Sequence, residues 1–90
     1  HPVTGRPYLN VSEAFTRFVI GMTGPESGRL LTELFDMINR PDHHVRVRWR
    51  PETLVIWDNH GTQHYAVADY LPARRVMHRV VVATDRRAGC

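Results

Sequence analysis

Apolar residues recur at helical spacing in the first half of the chain, at Leu30, Leu31, Leu34, Phe35 and Ile38. Thr23 precedes this run, and Glu26 lies three residues after Thr23, which is the spacing of a capping box. Pro25 would lie in the first turn of the helix. Pro41 ends the pattern, because the residue before a proline avoids the helical region. The sequence therefore predicts an amphipathic packing helix over about residues 24–39.

Beyond the helix, apolar and polar residues alternate with a period of two. Residues 45–50 alternate valine or tryptophan with arginine, as in a half-buried strand. Further strands are predicted at residues 8–11, 53–57, 62–65 and 74–84, with turns at 51–52 and 58–61, while the apolar segment 15–20 is ambiguous between strand and helix. One helix followed by about four antiparallel strands predicts a mainly β fold with one packing helix, part of a β-sandwich or jelly roll.

The predicted strands are too few to close such a fold. A closed double sheet needs about eight strands, and the elements predicted here leave apolar faces with nothing opposite. The chain has 90 residues and begins with His1. We therefore expect residues 1–90 to be the C-terminal portion of a single domain whose N-terminal portion is absent from this chain.

Composition narrows the class of protein. All twelve basic residues are arginine and nine residues are acidic, giving a net charge of +3. No run approaches the roughly 18 apolar residues of a membrane span, so no membrane partner is expected. Arginines 46, 48 and 50 fit a solvated strand face better than a nucleic-acid surface. A single cysteine excludes a disulfide framework and fits a reducing compartment, which predicts a cytoplasmic location.

Among the six histidines, His64 is the strongest candidate metal ligand. His60 and His64 are four residues apart, but Gly61 stands where a zinc metalloprotease motif requires glutamate. His64 follows a tight turn, where it could contribute to a facial triad of two histidines and one carboxylate. No histidine in the chain is followed two residues later by Asp or Glu, so the chain supplies at most one ligand of such a triad.

Two arginines on the last predicted strand are candidate anion ligands. Arg75 and Arg79 would share one strand face about 13 Å apart, at ~3.3 Å per residue. If that face lines an interior, each guanidinium requires an anion, since unpaired charges are not tolerated there. The alternative is that both arginines face solvent.

Four motifs in fixed order resemble the C-terminal part of the Fe(II)/2-oxoglutarate-dependent taurine dioxygenase family: WDN at 57–59, TQHYA at 62–66, ADY at 68–70 and RRVMHR at 74–79. The opening HPVTGR at residues 1–6 and the segment 11–15 also resemble that family. The resemblance extends to about residue 85.

The resemblance implies a fold and a set of site residues. The fold would be a double-stranded β-helix, a jelly-roll variant, with Fe(II), 2-oxoglutarate and O2 bound in its mouth. His64 would be the distal histidine ligand of the iron, and Trp57 would lie near the metal. Arg75 would bind the far carboxylate of 2-oxoglutarate, while Arg79 and Phe15 would contact the substrate. The other two iron ligands would lie in the absent portion.

The implied activity is hydroxylation of taurine or a related sulfonate at the carbon next to sulfur. Sulfite and an aldehyde would be released together with succinate and CO2. An alkyl sulfate or an aryloxy-acid are alternative substrates, and a truncated, non-catalytic β-domain is an alternative to an enzyme. The expected partner is a small anionic substrate, with a homo-oligomer left open. This chain alone is expected to be inactive.

Overall fold

The computed structural model describes residues 1–83, in which the one α-helix, α1, spans Gly24–Ile38. Its N-terminus is the predicted capping box. The Thr23 hydroxyl accepts from the Glu26 backbone N–H at 3.5 Å, and Glu26 Oε2 accepts from the Thr23 backbone N–H at 2.9 Å. These bonds satisfy N–H groups that the first turn leaves without helical partners. The predicted helix is confirmed, with Asn39 as its C-cap.

Two histidines close the other end of α1. A short 3-10 helix, Pro41–His43, follows the C-cap. His43 Nδ1 donates to the Met37 carbonyl and His44 Nε2 donates to the Ile38 carbonyl, both at 2.8 Å. These bonds satisfy carbonyl oxygens that have no partner within the helix, and the Met37 carbonyl also accepts from the Arg40 N–H at 3.3 Å.

The described residues divide into two compact units, and α1 belongs to the second, Asn10–Ile56. Leu31 and Ser27 on α1 are buried, with 6% and 3% of their surface exposed. The Ser27 hydroxyl accepts a hydrogen bond from the Val19 backbone N–H at 2.7 Å. This bond ties the segment that precedes α1 to the buried face of the helix.

The predicted β fold is wrong for the described residues, because residues 1–83 contain no strand. None of the segments 8–11, 15–20, 45–50, 53–57, 62–65 or 74–83 forms a ladder, and residue 84 of the last predicted strand lies outside the described part. A strand requires a second backbone about 4.8 Å away, and period-two alternation specifies only which side chains would share a face. The apolar residues of that pattern stay exposed, as at Val45 (91%) and Ile56 (86%).

The predicted turn at residues 51–52 is confirmed. The Thr53 N–H donates to the Arg50 carbonyl at 3.1 Å, and Glu52 has φ +67°. A positive φ after Pro51 is typical of a type II turn.

No helix in residues 1–83 is long and apolar enough to cross a bilayer.

Candidate functional site

The first compact unit combines His1–Leu9 with Trp57 and the described residues after it, and it contains four of the five predicted site residues. A turn over residues 58–62 is its central feature. The Asp58 carbonyl accepts from the Thr62 N–H at 3.1 Å and from the Thr62 hydroxyl, and Asp58 Oδ1 accepts from the His60 N–H at 3.0 Å. A side-chain oxygen that binds the N–H two residues on defines an Asx turn.

Gly61 lies close to the Asp58 carboxylate in the same turn. A Cβ atom added to Gly61 would lie 2.9 Å from Asp58 Oδ2. Such a contact would require the Asp58 carboxylate to shift.

The turn connects Trp57 with His64, whose rings are in contact. Their centroids are 5.2 Å apart and the planes are tilted by 47°. Trp57 is 37% exposed and His64 is exposed. Within residues 1–83 the His64 ring nitrogens have no hydrogen-bond partner, so the imidazole is available to a ligand from outside this part of the chain. The sequence predicted that both residues lie beside a turn, but it did not predict that their rings are in contact.

Arg75 is held by an aromatic ring. Its guanidinium lies 5.4 Å from the centroid of Tyr70, a cation–π distance, and the residue is half-buried. Arg79 is exposed. Neither arginine forms an ion pair with a carboxylate of the described residues. Tyr70 was part of a motif, but its position beneath Arg75 was not predicted.

Phe15, the fifth predicted residue, belongs to the second unit. It lies in a turn where Ser12 O accepts from the Phe15 and Thr16 N–H groups, and 84% of its surface is exposed. Phe15 and the other four residues thus belong to different units, and the substrate role of Phe15 stays a prediction.

Sequence reasoning missed a side-chain cluster built around His1. Its Nε2 lies 2.7 Å from Asp58 Oδ2, and its ring packs edge-on against His60 and Tyr8 at centroid distances of 5.7 and 6.1 Å. The HPVTGR and WDN motifs each contain one partner, but 57 residues separate His1 from Asp58. No local pattern connects positions so far apart.

The donor side chains of the described residues fit one iron ligand and no more. Residues 1–83 contain no group of three or more His, Cys, Asp or Glu side chains placed to hold a metal ion. The predicted donor, His64, is a single exposed imidazole. The described residues can thus contribute one ligand to an iron ion, and they do not form a complete facial triad.

Comparison with known proteins decides the family. The family model described as "Taurine catabolism dioxygenase TauD, TfdA family" matches residues 1–81. The chain belongs to this family. Members of this dioxygenase family use Fe(II), 2-oxoglutarate and O2. The resemblance drawn from the four motifs is therefore confirmed at the level of the family.

Within the TauD, TfdA family, the chain is similar to enzymes with different named substrates. An alkylsulfatase of Acinetobacter baylyi is 39% identical over 89 residues, 99% of this chain and 28% of the relative. An alpha-ketoglutarate-dependent sulfate ester dioxygenase of Pseudomonas putida is 35% identical, covering 99% of this chain and 29% of that protein. An alpha-ketoglutarate-dependent sulfonate dioxygenase of Saccharomyces cerevisiae is 35% identical, with coverages of 96% and 21%.

This TauD, TfdA family chain spans between a fifth and a third of the length of these relatives. No solved structure matches it.

Proposed function

We propose that the protein containing this chain is an Fe(II)/2-oxoglutarate-dependent dioxygenase that hydroxylates a small organosulfur anion next to its sulfur-bearing group. Taurine or a related sulfonate is the first candidate substrate. One observation carries the proposal: the first unit of a TauD, TfdA family chain holds an imidazole with available nitrogens against an indole, together with a guanidinium that no described carboxylate neutralises.

The proposed roles follow from these contacts. His64 supplies one nitrogen ligand to iron, and Trp57 limits the directions that the imidazole can take. Arg75 binds the far carboxylate of 2-oxoglutarate, because the ring of Tyr70 supports the guanidinium and leaves its N–H groups for an anion. Arg79 and Phe15 are assigned to the organic substrate. When bound, iron with 2-oxoglutarate supplies the oxidation of the C–H bond.

The remaining ligands are proposed to come from residues outside this chain, which is then the C-terminal portion of the catalytic domain. The donor set supports this, because no His-x-Asp or His-x-Glu is present and no three-ligand group forms in residues 1–83. The cytoplasmic location, the lack of nucleic-acid and membrane partners and the homo-oligomer remain sequence predictions.

The chemistry of the chain's residues is binding and orientation. Two anions, the co-substrate and the substrate, must be fixed with the target carbon facing the metal. Two guanidinium groups suit this task, since each can bind an oxyanion through two parallel N–H bonds. For a sulfonate, one molecule each of 2-oxoglutarate and O2 would be consumed, and succinate, CO2, an aldehyde and sulfite would be formed.

A sulfate ester is the second candidate substrate, favoured by the alkylsulfatase and the sulfate ester dioxygenase among the relatives. Hydroxylation of the carbon that bears the ester oxygen gives a product that collapses to an aldehyde and sulfate. The inorganic product therefore separates the two candidates. An aryloxy-acid would release neither sulfite nor sulfate.

The test is a product assay on the protein expressed from its complete coding sequence, with Fe(II), 2-oxoglutarate and O2. Taurine, an alkyl sulfate and an aryloxy-acid are supplied separately, and succinate, sulfite and sulfate are measured. We expect succinate formation coupled one-to-one to sulfite or sulfate. His64→Ala should abolish it, whereas His78→Ala, at another exposed histidine, should retain it. Succinate formation by His64→Ala at the wild-type rate would reject His64 as a ligand.

A further inference from the structure

The hydrogen bonds of His1 determine which of its ring nitrogens carries the proton. The backbone N–H groups of Val3 and Thr4 both point to Nδ1, at 3.1 and 3.2 Å. A nitrogen that accepts two N–H groups carries no proton, so in the neutral ring the proton is on Nε2. Nε2–H then donates to Asp58 Oδ2 at 2.7 Å. The His1 ring is 12% exposed.

Asp58 uses its remaining oxygen atoms to build the turn. Oδ1 accepts from the His60 N–H, and the backbone carbonyl accepts from Thr62. Oδ2 is the oxygen that Gly61 approaches and that His1 binds. The Asp58 carboxylate therefore links His1 to the backbone N–H of His60 within the turn. Fixing its rotamer keeps Oδ1 in place to accept from the His60 N–H.

The turn stands between the two rings of the candidate site. Trp57 precedes Asp58 directly, and His64 lies two residues after Thr62. We infer that His1 is a positioning residue: its Nε2–H···Asp58 bond fixes the turn and thereby the Trp57–His64 ring pair. An effect of His1 on turnover rests on the proposed function, whereas its effect on the arrangement of the Trp57 and His64 rings does not.

The competing explanation is that His1 serves only the local turn at residues 1–5, where its Nδ1 satisfies two N–H groups. The two ring nitrogens can be tested separately. Asparagine places an amide oxygen near the position of Nδ1 and has no group at Nε2. Glutamine places an amide N–H2 near the position of Nε2 and has no acceptor at Nδ1. His1→Asn therefore keeps the local turn, and His1→Gln keeps the bond to Asp58.

The readout is the environment of the Trp57 ring, measured by 19F NMR on the complete protein labelled with 5-fluorotryptophan. The Trp57 resonance is the one that Trp57→Phe removes. His64→Ala defines its position when the imidazole contact is lost. We expect His1→Asn to move the resonance toward the His64→Ala position and His1→Gln to leave it near the wild-type position. His78→Asn, at an exposed histidine of the same unit, is the matched control and should not move it.

Asp58→Asn repeats the test from the other partner. If its amide oxygen stays with the His60 N–H, its NH2 group faces His1 Nε2–H, and two donors then meet. We expect the same shift as in His1→Asn, with the His1 contacts to Val3 and Thr4 intact. Equal shifts in His1→Asn and His1→Gln, or no shift in His1→Asn and Asp58→Asn, would overturn the positioning role.

Iron binding gives the second readout. Residues that orient a metal ligand typically contribute about 10–100-fold to metal affinity. We expect Fe(II) to bind about 10-fold more weakly in His1→Asn and Asp58→Asn, and close to wild type in His1→Gln. If the 19F shifts follow this order while no substrate is turned over, the proposed function fails and the positioning role stands. If substrate is turned over but the 19F shifts do not appear, the proposed function stands and the positioning role of His1 fails.

Discussion

At the scale of single residues, Arg75 and Arg79 illustrate how one side chain differs from an identical neighbour. Both are arginines of one motif, but only Arg75 lies over an aromatic ring, 5.4 Å from the Tyr70 centroid. The ring quadrupole attracts the cation and restricts its rotamers, so less conformational entropy is lost when an anion binds. Arg75 is therefore the better prepared of the two to bind an anion at a fixed position, which is the role proposed for it.

This difference predicts a separation of effects between two conservative variants. Lysine keeps the charge and loses the planar fork, so Arg75→Lys should raise the KM for 2-oxoglutarate by about 10–100-fold, on the order of a lost charge-assisted hydrogen bond. Arg79→Lys is the matched control and should change chiefly the KM for the organic substrate. Steady-state kinetics with each substrate varied in turn makes the measurement. Equal effects of both variants on the 2-oxoglutarate KM would contradict the assignment.

The site residues show what a sequence can predict at this scale. The tight turn at residues 58–61 was visible because Asp, Asn and Gly favour turns locally. The contact of Trp57 with His64 and the bond from His1 to Asp58 depend on how the chain folds back. Residue type and spacing contain no information on such contacts.

At the scale of elements, α1 is the one whose local and tertiary signals agree. Its capping box, its proline and its apolar period all predict the same segment, and the structure has it at Gly24–Ile38. The Thr23 hydroxyl also donates to Glu26 Oε2 at 2.7 Å. This hydrogen bond, followed by that from the Thr23 backbone N–H, lowers the pKa of Glu26 from its ordinary value of 4.5.

The lowered pKa predicts how the N-terminus of α1 depends on pH. A carboxyl whose folded-state pKa is lowered stabilises the fold above its unfolded value, and this contribution is lost as the pH falls through the folded pKa. An NMR titration of the Glu26 carboxyl carbon should give a pKa below 4.5. Thr23→Ala should move that pKa back toward 4.5, and removing the cap should cost about 1 kcal/mol of helix stability.

Thr32→Ala is the control for this experiment. Thr32 is exposed on the same helix and its hydroxyl donates to the Gly28 carbonyl at 2.9 Å, whereas the hydrogen bonds that lower the pKa of Glu26 come from Thr23. The pKa of Glu26 should stay low in this variant. A Glu26 pKa that responds equally to both substitutions would show that the Thr23 hydroxyl is not its cause.

The predicted strands failed as elements for a physical reason. A helix pairs its backbone groups within itself, so 15 residues can specify one. A strand pairs with another segment, and the alternation of Val45, Val47 and Trp49 with arginines says nothing of where that segment is. Residues 53–57 are as apolar as a buried strand, yet Leu54 and Ile56 are 82% and 86% exposed. The alternating pattern identified side chains that are suited to burial, but it did not indicate which segment would cover them.

At the scale of the molecule, the described residues bury very little apolar surface. Leu31 is the sole buried hydrophobic residue in residues 1–83, whereas Val80 and Val82 are 90% and 91% exposed. Burying one leucine side chain contributes about 1.5–3 kcal/mol, and fixing each backbone residue costs about 1–2 kcal/mol. The contacts of these residues alone therefore cannot support a cooperative fold.

The 90-residue chain expressed by itself should then behave as a partly helical, loosely packed polypeptide. We expect a far-UV circular dichroism signal at 222 nm that declines gradually on heating, strong binding of a hydrophobic fluorescent dye to the exposed valines and isoleucines, and no 2-oxoglutarate consumption with Fe(II). The protein from the complete coding sequence, measured alongside, should melt in one sharp transition and bind little dye. A sharp transition in the 90-residue chain would mean that its apolar faces find partners within the chain, and the ring pair of Trp57 and His64 would then be stable without any further segment.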